Sequence, residues 1–291
     1  ALETQRYELE QRRQALEHER AEHDRVRVAD ERFARAVELL GNEADQVRVG
    51  ALHALAGLAY SRPGYRQTVI DVLCSYLRRP FDRDMFGSDD LDRDDMYQRE
   101  QQVRRTAQQV ITDLLPPASD PDATHYDLDL HGASLEYLNL EDKVIGQLRI
   151  RVATLHESTS LRGLQVHGPA WFTGARCAGR FHAQGIVFHE RSWFSKFSAT
   201  GRVDFTGARF LGDTKFAGST FGGPVSFKDV SFARGVDFSD TRFDDELDLR
   251  VTGGATARTH AMTVSLHHSV ELPDGWTLDT SRGEEHGLVR A

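Results

Sequence analysis

Residues 205–249 read FTGARFLGDTKFAGSTFGGPVSFKDVSFARGVDFSDTRFDDELDL. Apolar anchors fall at Phe205, Phe210, Phe216, Phe221, Phe227, Phe232, Phe238, Phe243 and Leu249, so the step alternates between five and six residues. Two residues before each anchor stands a small or β-branched side chain: Val203, Ala208, Thr214, Ser219, Val225, Val230, Val236 and Thr241. Such a beat is too long for the alternation of a plain strand and matches no helical face. It suits a chain that turns a corner after each short straight side, every side sending two side chains into a shared interior. Turn-forming residues lie between the sides, at Gly201, Gly207, Gly212, Gly218, Gly223, Gly235 and Asp240.

The same phase runs backwards through Ala199, Phe194, Phe188, Ala183, Cys177, Phe172, Val166, Leu161 and Leu155. Below Leu155 it becomes a pure step of five, through Ile150, Ile145, Leu140, Leu135 and Leu130. Where the anchor shrinks to Ala183 or Ala199, the preceding inward position grows to Phe181 or Phe197. Volume is conserved, as a close-packed interior demands.

GASLEYLNLED at 132–142 and FTGARFLGDTKFAGSTF at 205–221 resemble the pentapeptide-repeat family, whose motif is a small residue, a polar residue and a central Leu or Phe. The resemblance covers 126–280 and implies a right-handed, four-sided β-helix of about seven coils. The fold class expected is α plus β-solenoid, with a C-terminal cap and a tail at 281–291. The extra residue in every second unit implies a coil of about twenty-two residues, so residues i and i+22 should be neighbours about 4.8 Å apart. Solenoids need capped ends. Helices are expected to cap the lower end. At the upper end the beat of Val264–Leu266, Val270–Leu272 and Trp276–Leu278 reads as a last coil, with Pro273–Gly275 as a turn and Trp276 closing the stack.

The first part of the chain reads as helical. Residues 1–28 form a charged helix with Leu2, Leu9 and Leu16 seven apart, a thin seam that is either a coiled-coil stalk or a solvated helix. Residues 29–117 read as a HEAT-like helical domain. Its faces are Phe33, Val37 and Leu40; then Val47, Ala51, Leu52, Leu55, Leu58 and Ala59; then Val69, Ile70, Val72, Leu73 and Leu77; then Val103, Ala107, Val110, Ile111 and Leu114, ended by Pro116–Pro117. Residues 30–81 resemble the N-terminal region of actinobacterial pentapeptide-repeat proteins. That resemblance implies a membrane-anchoring segment upstream and a place at the inner face of the plasma membrane. The Asp-rich stretch 82–95 reads as a solvated loop, since it lacks the bidentate Glu that an EF-hand loop needs at its twelfth position.

Composition narrows the function. The chain has 36 basic and 45 acidic residues, net −9, which disfavours direct nucleic-acid binding. Two cysteines make no disulfide framework and fit a cytoplasmic setting. Cys74 reads as core and Cys177 as an inward anchor. No nucleophile elbow, phosphate loop or zinc motif occurs, so no enzyme activity, cofactor or metal is expected. The coil length instead places His167 beside His189 and Trp171 beside Trp193, all facing outward, with Arg191 at the border. The plainer reading is that the tryptophans cover a corner or pack on the helical domain. The sharper one is a binding patch for a protein partner. The function expected is a non-catalytic protein–protein interaction scaffold, with homodimerisation through the charged helix or the end cap. The alternative is an acidic DNA mimic acting on a type II topoisomerase, a role some family members play. Residues 126–280 carry 19 acidic and 16 basic side chains, a balance of −3, which is thin for a mimic of phosphate charge.

Overall fold

The computed structural model describes residues 2–81, 91–252, 256–281 and 285–291. The chain divides into two compact units, 1–66 and 67–291. Residues 82–90 of the Asp-rich stretch lie outside the described residues.

In the first unit, α1 spans Leu2–Leu40 and α2 spans Asp45–Ser61. Gly41 ends α1, its N–H bonding back to the Glu38 carbonyl at 3.1 Å. Ala29, Ala36 and Leu40 of α1 are buried, as are Ala51, Leu52, Leu55, Leu58 and Ala59 of α2. The face expected on α1 shifts by part of a turn: Val37 is exposed and Ala36 takes the inward position, since steps of three and four from Phe33 reach 36 and 40. Arg62 of the loop after α2 pairs with Glu22 of α1 at 3.0 Å. Residues 2–28 and the start of 29–117 are one continuous helix.

In the second unit, α3 (Arg66–Leu77) and α4 (Leu91–Leu114) close the base of a β-solenoid. Among the described residues the solenoid consists of four columns of short strands, with seven, six, five and nine members, parallel throughout except for the last two pairings of the nine-membered column. The seven-membered column runs Leu128–Asp129, Leu148–Arg149, Ala170–Trp171, Ser192–Trp193, Thr214–Lys215, Val236–Asp237 and Ala257–Arg258, six coil-to-coil steps in all. Register confirms the coil length. Leu128 pairs with Leu148, Val144 with Gln165, and Ala170 with Ser192, so the coil grows from twenty through twenty-one to twenty-two residues. The short first coil is what the pure step of five requires.

The anchors fill the axis. Phe172, Phe188, Phe194, Phe205, Phe210, Phe216, Phe221, Phe227, Phe232, Phe238, Phe243 and Leu249 are all buried. Equivalent rings stack from coil to coil: Phe172–Phe194–Phe216–Phe238 at 4.4, 4.9 and 5.3 Å between centroids, and Phe188–Phe210–Phe232 at 5.1 and 4.9 Å. Phe181 and Phe197 fill the space beside Ala183 and Ala199. Each buried Phe is worth about 1.5–3 kcal/mol relative to exposure. Two buried hydroxyls bond back to the coil below: Ser219 Oγ donates to the Phe194 carbonyl at 2.6 Å, and Thr241 Oγ1 to the Phe216 carbonyl at 3.0 Å.

The glycines do two different jobs. Gly207 and Gly218 turn with φ near +70°, the conformation that Lys196, Asp229 and Asp240 adopt at equivalent corners eleven residues apart. Gly212 is needed for closeness instead, since a Cβ there would lie 2.3 Å from the Glu190 carbonyl carbon.

At the base, the first coil would leave a row of unpaired backbone groups. The helices supply partners one by one. Gln67 donates to the Asp127 carbonyl and accepts from its N–H, at 3.0 and 2.9 Å. Thr112 donates to the Asn139 carbonyl at 2.7 Å, and the Val144 N–H reaches Pro116 O at 2.9 Å. Arg104 is buried; it donates to the Leu77 carbonyl at the end of α3 and to Ser134 O at 3.1 Å, with Phe81 beneath it at 4.8 Å. Burial lowers its pKa, against the pull of Glu100.

The upper end is closed by reversal of the chain. Residues 281–291, expected as a tail, contain strand His286–Arg290, which pairs antiparallel with both Thr263–Ser265 and Thr277–Asp279. Val289 is fully buried, whereas Trp276 is only half-buried beside the turn at Pro273–Gly275. A returning strand satisfies the open edge with backbone hydrogen bonds, which one aromatic side chain could not do.

Candidate interaction surface

Alternation along each two-residue strand puts one side chain in and one out. In the seven-membered column the outward set is Asp129, Arg149, Trp171, Trp193, Lys215, Asp237 and Arg258. Trp171 and Trp193 are direct register partners, and both are half-buried rather than fully exposed, because the column neighbours cover their edges. Arg149 lies over the Trp171 ring at 5.2 Å. Arg191 and Lys215 lie over the Trp193 ring at 5.6 and 5.2 Å. Cations above indole faces are favourable by about 0.5–1 kcal/mol at exposed sites. The Trp193 indole N–H is enclosed without a hydrogen-bond partner, so this residue offers ring surface and not a donor.

His167 and His189 occupy the corner just before this column. Their rings stack at 4.0 Å, and His125, from outside the repeat, stacks on His167 at 3.9 Å. His125 finds room because the position paired below His167 is Gly146, next after the Val144–Ile145 pairing. Burial lowers the His167 pKa, helped by His189 and His125; burial likewise lowers that of His189, helped by Arg209 and His125. Both shifts favour the uncharged imidazole at His167 and His189. Among the described residues no group of three or more His, Cys, Asp or Glu is arranged to hold a metal ion.

The two thiols sit in the interior. Burial pushes Cys74 up to about 12 and Cys177 up to about 11. Both are free and inert at neutral pH. No helix among the described residues is long and apolar enough to cross a membrane.

The family model described as pentapeptide repeats (9 copies) matches residues 205–252. That match and the four-column solenoid together fit a pentapeptide-repeat protein. No curated protein and no solved structure matches the chain. Pentapeptide-repeat solenoids are generally non-enzymatic and belong with interaction and scaffold proteins. In the pentapeptide-repeat rod described here, the register unites Trp171, Trp193 and Arg191 on one column and its border, and His167 with His189 on the next corner.

The expected patch leaves out Arg149 and Lys215, although each lies twenty-two residues from a tryptophan of the pair. His125 lies outside the repeat, and no periodic signal points to it.

Proposed function

We propose that the rod is a docking scaffold whose partner-binding face is the Trp171–Trp193 column, bordered by Arg191 and the His167–His189 corner. The observation that supports this most is the pairing of two indole rings, held by cations on a rigid stack of strands. Aromatic side chains fixed on a rigid element lose little freedom on binding and make the commonest anchors of interfaces. The fold supplies the rigidity, since each coil is packed through buried apolar side chains against its neighbours.

The topoisomerase-mimic alternative finds less support. Its outward columns would need a continuous negative stripe. Here the tryptophan column alternates in sign, with Lys215 beside Asp237 and Asp237 beside Arg258.

The test is quantitative capture of protein partners from the native host by the full chain and by a Trp171→Ala, Trp193→Ala variant. Circular dichroism would check that the variant keeps its fold. The proposal expects a partner held by the parent chain to be lost by the variant. Equal capture by both would refute it.

A further inference from the structure

Below Trp171 the surface opens into a concavity of about 470 Å³ lined by Arg78, Asp129, His131, Arg149, Arg151 and Trp171. Its chemistry differs from the rest of the molecule. The chain carries a net −9, yet three arginines line this concavity beside a single carboxylate. Asp129 is fully engaged in orienting two of them. Its Oδ2 pairs with Arg78 at 2.8 Å and with Arg149 at 3.3 Å, while its Oδ1 accepts the His131 N–H at 3.2 Å. Arg149 in turn lies over the Trp171 ring. Arg151 is exposed and makes no ion pair among the described residues. Counting Asp129 against the three arginines leaves a formal balance of +2.

From this arrangement we infer that the concavity is an acidic-peptide pocket: it receives an anionic side chain of a docked protein segment, with an adjacent apolar residue against Trp171. The inference rests on the docking reading above and names the chemistry of the partner. Arginine presents paired N–H donors that match carboxylate or phosphate oxygens. The site's own carboxylate preorganises Arg78 and Arg149 while leaving Arg151 and His131 as donors at the rim. The volume fits a few side chains, in the range of ordinary ligand pockets of about 300–1,000 Å³. A nucleic acid fits poorly, because its long run of phosphates would pass over Asp237 and a rod of net negative charge. A peptide brings one or two anions and an apolar neighbour together, which is what the basic rim and the indole wall complement.

The test follows the indole N–H resonances of Trp171 and Trp193 by NMR on the full chain. The probes are a capped Glu-Leu-Glu peptide, its phosphoserine counterpart, a capped Gln-Leu-Gln peptide and inorganic phosphate. The Glu or the phosphoserine peptide should shift the Trp171 signal, and the tighter of the two identifies the anion as carboxylate or phosphate. Arg151→Gln should weaken that binding about tenfold, as expected for one charge-assisted contact. Added salt should weaken it further. Equal binding of the Gln peptide, no response to either acidic peptide, a response to inorganic phosphate alone, or an unaffected Arg151→Gln variant would each overturn the inference. Partner capture separates the two levels. Loss on the double tryptophan substitution with retention on Arg151→Gln rejects the acidic pocket but keeps the docking face. Retention on both rejects the docking face itself.

Discussion

The helical pair of residues 2–61 and the solenoid of residues 126–280 bury their apolar residues in contrasting ways. Leu9 is 65% exposed and Leu16 is 55% exposed on α1, although both stand on a regular heptad beat. In the solenoid every Phe anchor is at most 5% exposed. A single helix can present an apolar stripe without any obligation to cover it, whereas a closed coil has an inside by construction. Periodicity in the first case states a preference. In the second it states a position.

That contrast can be broken by substitution. Phe216 touches the rings of Phe194, Phe205, Phe227 and Phe238 at 4.9–5.8 Å. Phe216→Ala should destabilise the solenoid by about 4 kcal/mol, the range for a large ring lost from a core with little freedom to collapse. Chemical denaturation measures this, and a loss under about 1 kcal/mol would mean that the stack is loosely packed. Arg104→Met should cost about 3 kcal/mol, because the carbonyls of Leu77 and Ser134 lose their donor while buried. A neutral outcome would show that α4 caps the rod by apolar contact alone.

A smaller effect comes from the histidine stack. His167 and His189 titrate below the ordinary value in the folded chain, so the unfolded chain binds protons more readily. Stability should be level above about pH 7.5, fall as pH drops through about 6.5, and flatten below the lowered folded values. Replacing both by Gln should remove part of that fall, measured as midpoint against pH; an unchanged profile would assign it to other groups. The smallest effect belongs to α1. Leu9→Gln with Leu16→Gln should change monomer stability by less than about 0.5 kcal/mol. A larger loss, together with a drop in mass by light scattering, would show that the seam pairs in solution.

Much of the solenoid was legible because each residue's identity repeats its address. The five–six beat located the anchors, the size exchange at Phe181 and Ala183 gave the packing, and the coil length gave the tryptophan and histidine pairs. The ends were less legible, because capping obeys no repeat. Arg104 reads as one more polar residue of a charged helix, and only its neighbours in space reveal a buried cation holding α3 to the first coil. The returning strand His286–Arg290 is hidden for a similar reason: it follows a polar stretch of sequence and carries just one fully buried side chain, Val289. On α1, Val37 and Ala36 compete for one inward position, and composition favours the wrong one. The pocket beneath Trp171 combines both situations, with Arg149 and Trp171 set by the coil length and Arg78 supplied from outside it.

Core, columns and pocket all depend on one register, and a cross-link reads it directly. Lys215 and Asp237 are outward partners on adjacent coils. Neighbouring strands place such Cα atoms at about 4.8 Å, within reach of a disulfide. Lys215→Cys with Asp237→Cys, in a background with Cys74 and Cys177 replaced by Ser and Ala, should oxidise readily to a single intramolecular bridge. Lys215→Cys with Arg234→Cys should not. Equal bridging in both pairs, or none between 215 and 237, would contradict a coil of twenty-two residues and every placement drawn from it.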